Sequence, residues 1–310
     1  MFSGFIKRIL QLLLSVFLVI TLSFFLMKII PGDPFLNDNI IPEEILSALK
    51  AHYGLDKPLW TQYIHYLNHL LHGDLGPSYI YLGRKVHQFI LESFPISFML
   101  GLQSLSIAIF FGLILGTLAA HYHNKWQDNL IMSLASISIA IPSFLLATLL
   151  QYLFAIKLQL VPVARWTGLG SSILPAIALA ATPTAFIVRL IRSNMIDVIH
   201  QNYLITAKAK GLSSFHIIAH HGLRNAIMPV ISYLGPISSQ ILIGSFVIEK
   251  IFSIPGLGQW LVLSISNRDY PMILGISLFY ATLLIIIMFI VDLLYVMIDP
   301  RLRTRKTAYG

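Results

Sequence analysis

The densest set of ligand-type side chains in the sequence is His216, His220 and His221, whose i, i+4 spacing would suit a metal ion on a helix. No glutamate accompanies them as in His-Glu-x-x-His, so no metal site is expected, and the remaining histidines are scattered over loops. Ser/His/Asp catalysis has no local motif to support it. Phosphate chemistry is missing as well. A nucleotide-cradling loop needs Gly-x-x-x-x-Gly-Lys-Ser/Thr, and the chain contains no Gly-Lys pair, so ATP and magnesium would have to be bound elsewhere. With no cysteine at all, disulfides, thiolate metal sites and cysteine nucleophiles are excluded.

What remains is a set of uncharged polar residues embedded in apolar runs: Gln103, Ser106, Ser136, Ser143, Gln151, Thr182, Thr184, Ser238, Ser239 and Gln240. They could line a hydrated path. Alternatively, the serines and threonines cement helix packing. Buried carboxylates, which mark proton- or sodium-coupled pathways, are almost absent from these runs, and Asp292 sits at the inner end of the last one.

The elements that carry these residues are membrane helices. Of 310 residues, 56% are hydrophobic and 11% are charged, against about 25% charged in an ordinary soluble domain. Six segments can cross a bilayer: residues 9–27, 96–120, 130–156, 173–188, 227–248 and 273–291. The fourth is short unless it extends past Arg189, and Pro175 and Pro183 interrupt it. The first apolar run is too long for a signal peptide, and the following Ile29-Ile30-Pro31-Gly32-Asp33-Pro34 is no small-residue cleavage site, so it is expected to be retained.

The net charge of +8 could suggest a polyanion partner. Its distribution argues for topology instead. With the N-terminus inside, the inner segments hold twelve Lys and Arg and four acids, whereas the outer segments hold nine of each. The whole excess falls on one side, which predicts cytoplasmic termini and no nucleic-acid role.

Two loops exceed mere connectors. In the outer one, Pro42-Glu43-Glu44 predicts a helix start and Gly54 its stop; a second helix is expected over residues 61–71, with Ile64, Leu67, Leu70 and Leu71 on one face. In the inner one, residues 203–210 read as a short helix ended by Gly211, and Ser213 can cap another over residues 214–224. The division expected is residues 1–31 as the N-terminal segment and first span, 32–95 as an extracytoplasmic cap, 96–298 as a five-helix core with its inner loop at 192–228, and 299–310 as a cytoplasmic tail.

That inner loop, with Tyr203, Thr206, Ala207, Lys208, Ala209, Lys210 and Gly211 followed by Leu223, Arg224, Asn225 and Pro229, resembles the coupling loop of bacterial ATP-binding cassette importer permeases. More narrowly, it looks like the first permease subunit of dipeptide and oligopeptide systems. Ile30-Pro31-Gly32-Asp33-Pro34, Tyr53-Gly54-Leu55-Asp56-Lys57-Pro58 and Gly73-Asp74-Leu75-Gly76 fall at the family's places. So do the outer-face residues Glu249, Pro255, Gly256 and Gly258, with Phe252, the run Arg268-Asp269-Tyr270-Pro271, and the closing Asp299-Pro300-Arg301. One departure is that the general Glu-Ala-Ala opening is Ile205-Thr206-Ala207 here, which makes Gly211 the firmer anchor.

The resemblance implies an all-α, six-span type I importer permease in the bacterial cytoplasmic membrane. It would pair with a second homologous permease, dock two ATPases that use ATP and magnesium, and receive substrate from an extracytoplasmic binding protein. Gln103, Ser143, Gln151, Thr182, Thr184, Ser239 and Gln240 are the candidates for the translocation path. Nickel, glutathione and other small solutes use the same subunit type. A stand-alone carrier or channel, or an embedded enzyme, is the reading from another class.

Overall fold

Lipid offers backbone groups no hydrogen bonds, so an apolar chain crossing it must satisfy them within helices. A computed structural model describes residues 2–29, 35, 42–199, 201, 211 and 222–298, and these are helical almost throughout, with one isolated bridge between Pro77 and Lys85. The helices are α1 (Phe2–Ile29), α2 (Glu43–His52), α3 (Leu59–Leu71), α4 (Val86–His121), α5 (Trp126–Ala140), α6 (Ser143–Leu150) and α7 (Leu169–Ile199). They continue with α8 (Leu223–Ala226), α9 (Met228–Leu242), α10 (Phe246–Ile251), α11 (Leu257–Ser266) and α12 (Tyr270–Ile298), and a π-helical stretch, Gln151–Lys157, prolongs α6.

Five stretches are long and apolar enough to span: Leu10–Ile29, Val86–His121, Gly170–Ile199, Met228–Ile251 and Tyr270–Val291. The fourth expected span does extend past Arg189, running through both prolines. The expected continuous span over residues 130–156 is instead a bent pair, α5 and α6, turned by 105°. The cause is Pro142. A proline pushes its predecessor out of the helical region, and Ile141 sits at φ −83°, ψ 121°. The fifth span also carries a break: Gly244, at φ +101°, separates α9 from α10.

The chain forms two compact units, one comprising Met1–Pro95 with Gly256–Ile285 and the other Ile96–Pro255 with Ile286–Gly310. In the first, Phe24 of α1, Tyr63 of α3 and Leu274 of α12 form a core, joined by Phe25, Tyr66 and Leu67. Phe24 stacks on Tyr66 at 5.7 Å between ring centroids. The buried stripe of α3 is therefore Tyr63, Tyr66 and Leu67. Of the stripe expected from sequence, Ile64 and Leu71 face outward. Tyrosine wins the inner face because its ring packs on Phe24 and Phe25 while its hydroxyl reaches Thr21 Oγ1 at 2.7 Å.

α2 and α3 stop as glycine predicts. Gly54 (φ +67°) sends its N–H to Ala51 O while Leu55 bonds Lys50 O; Gly73 (φ +73°) and Asp74 repeat the pattern on Leu70 and His69. α2 begins after Pro42, and α3 begins at Leu59, two residues before the expected start.

The second unit packs α4, α7 and α9. Ile187, Ile191 and Val230 are buried together with Ala108 and Ala180. Gly112 and Gly116 let α4 lie against α7, since a Cβ on either would come within 2.5 Å and 2.7 Å of Ile187 and Ile191.

Candidate functional site: the coupling face and its supports

The chain on either side of residues 200–221 is held by one apolar cluster. α7 delivers Met195, Ile196 and Ile199, and the return through α8 delivers Leu223 and Ala226, all packed with Ala120 of α4. The two flanks of the loop thus share one anchor. Gly211, between the two, has φ +82°, and no described residue lies within 4 Å of its Cβ position. A left-handed residue there agrees with glycine as a helix stop. Tyr203, Thr206, Ala207, Lys208, Ala209 and Lys210 lie outside the described residues, as do His216, His220 and His221. Arg224 lies within α8, Asn225 is exposed, and Pro229 stands in the first turn of α9, where a missing N–H costs nothing.

Seven residues before Ile199, Arg192 grips Asp128 from the first turn of α5. Its Nε and Nη2 donate to the two carboxylate oxygens at 2.6 and 2.7 Å. The Asn124 N–H adds a third bond at 3.0 Å, and His123 Nδ1 lies 3.4 Å from Asp128. Asp128 is 1% exposed and Arg192 23%. A bidentate fork of this kind fixes direction as well as distance. Nearby, Arg189 donates to Ser136 Oγ at 2.9 Å. Sequence reading placed both members of the Asp128–Arg192 pair on the inner side. It missed their pairing because 64 residues separate them.

The outer-face motif resolves into two separate fasteners. Asp269, fully buried, caps α12 by accepting from the Met272 N–H at 3.4 Å. It also accepts from the Ser78 hydroxyl and from the Tyr79 N–H at 3.2 Å, tying the outer turn to the helix start. Burial and the Asp269 charge push the Tyr79 phenol above its ordinary range. Arg268 occupies the left-handed C′ position of α11 at φ +56°, and Gly256 stands as that helix's N-cap with Gly258 buried behind it. In the other unit, Glu249 is fully buried, accepting from Ser97 Oγ at 2.7 Å. A side chain at position 244 would meet Glu249 Oε1 at 2.5 Å, so the glycine break and the carboxyl occupy one space. Pro255 is exposed. Ser78 and Ser97 carry no sequence signal, because each acts on a residue more than a hundred positions away.

The polar residues of the spans fall into different settings. Thr184 and Ser239 bond carbonyls of their own helices, at 2.7 and 2.8 Å. Thr182 Oγ1 reaches Ser138 O at 3.4 Å, the carbonyl that Pro142, lacking an N–H, leaves without its helical donor. Gln151 Nε2 ties Val163 O (2.7 Å) to Ile251 O (3.2 Å). Gln103 Oε1 is buried with no partner among the described residues. Ser143 is partly exposed at the start of α6, and Gln240 is exposed.

Comparison with known proteins follows the same lines. Residues 108–304 match the model of the "Binding-protein-dependent transport system inner membrane component" family, and residues 1–101 match that family's N-terminal membrane component. The chain is 48% identical over 301 residues to the dipeptide transport system permease protein DppB of Bacillus subtilis, covering 97% of this chain and 98% of that one. It is 42% identical to the oligopeptide transport system permease protein OppB of Haemophilus influenzae, covering 96% and 98%. A solved amino acid ABC transporter shares the fold at a TM-score of 0.52 and 16% identity, over 67% of this chain and 94% of that one. A MetNI methionine ABC transporter does so at 0.50 and 14%, over 68% and 94%. This all-helical, multi-pass membrane protein therefore belongs to the family of binding-protein-dependent transport system inner membrane components and has the fold of an ABC importer permease.

Proposed function

We propose that this chain is the first permease subunit of an ATP-driven importer that carries di- and oligopeptides across the bacterial cytoplasmic membrane by alternating access. The observation that carries this reading is the 48% identity to a dipeptide permease over nearly the full length of both chains. A second homologous permease completes the pathway. Two ATPases hydrolyse ATP with magnesium, and an extracytoplasmic binding protein delivers the peptide. Both termini are cytoplasmic, a topology supported by the one-sided excess of Lys and Arg.

In this reading the inner loop seats in an ATPase groove, with Ala207 and Gly211 allowing close approach and Lys208 or Lys210 meeting acidic groups. The common anchor of Met195, Ala226 and their neighbours supports the role, because it lets the loop move as a body with α7. Residues 32–95 receive the binding protein or cap the outer mouth. Gln103, Ser143, Gln151, Thr182, Thr184, Ser239 and Gln240 are the path candidates, and the buried unpartnered oxygen makes Gln103 the strongest of them.

The test is uptake into proteoliposomes holding this chain, its partner permease and both ATPases, with binding protein outside and ATP inside. Labelled dipeptide should accumulate only when all components and ATP are present. Accumulation by this chain alone would make it a self-sufficient carrier. Uptake of nickel or glutathione but not peptide would reassign the substrate.

A further inference from the structure

Where α1 leaves the membrane, α3 folds back along it. Thr21 meets Tyr63 at 2.7 Å, Phe25 meets Trp60 at 5.6 Å between centroids, and Lys28 Nζ donates to Gln62 Oε1 at 2.6 Å. Thr21 to Lys28 is about 10 Å of helix, so α3 lies at the depth of the headgroups and first methylenes. Its outer side agrees. Trp60 (67% exposed), Ile64 (62%) and Leu71 (85%) make an apolar face that water would not favour and lipid would.

Beneath α3 lies a cavity of about 310 Å³, bounded by the ends of α1 and α2, by α3, and by the start of α12. Its charge is lopsided. Lys28 and Lys57 line it. The lining acid, Asp74, is already engaged by Lys85 at 3.1 Å and by the Gly76 N–H at 3.1 Å. Among the described residues no carboxylate pairs with Lys28, which has only the neutral Gln62 oxygen and the faces of Phe24 and Tyr270. The Tyr66 hydroxyl, also in the lining, is buried without a partner among the described residues. A buried hydroxyl and a half-used ammonium beside one cavity are donors awaiting an acceptor.

We propose that this cavity holds the phosphodiester headgroup of an anionic phospholipid from the leaflet at the C-terminal end of α1. Lys28 and the Tyr66 hydroxyl donate to the phosphate oxygens. The volume suits one headgroup and is small for a peptide of several residues. A zwitterionic headgroup would bring a cation into a site already lined by cations. The inference needs only the membrane-spanning reading and not the substrate.

Full-length protein in detergent would be titrated with dihexanoyl phosphatidylglycerol, dihexanoyl phosphatidylcholine or sodium phosphate, and bound lipid counted by native mass spectrometry. One phosphatidylglycerol per chain should bind, about tenfold tighter than phosphatidylcholine. Lys28→Gln should weaken it about tenfold and Tyr66→Phe about threefold, with Lys28→Arg near wild type. Tyr66→Phe removes only an unpartnered oxygen, so it carries the test if Lys28→Gln fails to fold. Wild-type affinity in a folded Lys28→Gln would overturn the assignment, and so would wild-type affinity in Tyr66→Phe if Lys28→Gln does not fold. So would equal binding of phosphatidylcholine, or displacement of the lipid by equimolar phosphate, which would leave a free-oxyanion site.

Discussion

Cutting the Asp128–Arg192 fork should damage the two partners unequally. The pair shares two short charge-assisted bonds, and its members differ in exposure, 1% for Asp128 against 23% for Arg192. Removing one partner of a buried ion pair costs about 3–5 kcal/mol, mostly through the charge left stranded. In Asp128→Ala the stranded guanidinium can turn to water and to His123, so the loss should lie at the lower end, about 3 kcal/mol. In Arg192→Ala the stranded carboxylate is sealed in, keeping among the described residues the Asn124 N–H and His123, so the loss should approach about 5 kcal/mol. The double mutant strands neither charge and should recover about 2–3 kcal/mol of the summed cost. Unfolding of the four proteins in mixed micelles, titrated with SDS and followed by circular dichroism, measures the cycle. Additivity within about 0.5 kcal/mol would refute the fork as a coupled unit. A larger loss in Asp128→Ala than in Arg192→Ala would refute the burial argument.

Three further outcomes are expected. Gly211→Val should leave expression and insertion near normal, because no described residue crowds the Cβ position and left-handed strain costs only about 1–2 kcal/mol; ATPase copurification should nevertheless fall, and full recovery with full transport would show an interfacial turn without a coupling role. Gly116→Leu should force α4 from α7 against Ile191 and Val188, costing roughly 1–3 kcal/mol or more and lowering the yield of folded protein, whereas unchanged thermal stability would count against close packing there. Burial alone would raise the Asp74 carboxyl, but the Gly76 N–H and Lys85 outweigh it and hold it below its ordinary 3.8. Its contribution is therefore fully present above that value and lost as pH falls through the depressed one. Protection of the Gly76 amide, taken relative to its intrinsic exchange, should fall on acidification through that window in the wild type, and a fall of equal size in Asp74→Asn would exclude the carboxylate as its source.

The membrane spans and the helix stops were legible because they rest on local rules. Apolar run length found the spans, and Gly54 ends α2 in the left-handed geometry expected of it; Gly211 takes the same φ sign, while the helix expected before it lies outside the described residues. The elbow at Pro142 was equally local and was passed over, because the apolar run continues through it; the restriction a proline places on its predecessor was the available signal. Gly112 and Gly116 form a small-xxx-small pattern that the sequence offers directly. Other features had no local trace. The inward face of α3 was set by aromatic neighbours on α1, not by its own leucine pattern. Ser78 at Asp269, Ser97 at Glu249 and Arg192 at Asp128 join residues distant in sequence, and a serine that holds a carboxylate reads like one that faces water.

The angle between α5 and α6 also constrains how the subunit can be turned in the bilayer. A straight helix may present any side to acyl chains, since its carbonyls are spoken for along its length. An elbow of 105° cannot, because Pro142 brings no N–H and the chain there is extended. Thr182 answers one carbonyl at 3.4 Å, but oxygens at a corner carry a second lone pair that hydrocarbon will not solvate. The corner must therefore look toward another protein surface or a column of water. That requirement acts as a compass: it fixes the rotation of this half of the chain about the bilayer normal, and the exposed leucines and phenylalanines of α6 are left to face whatever lies away from the water.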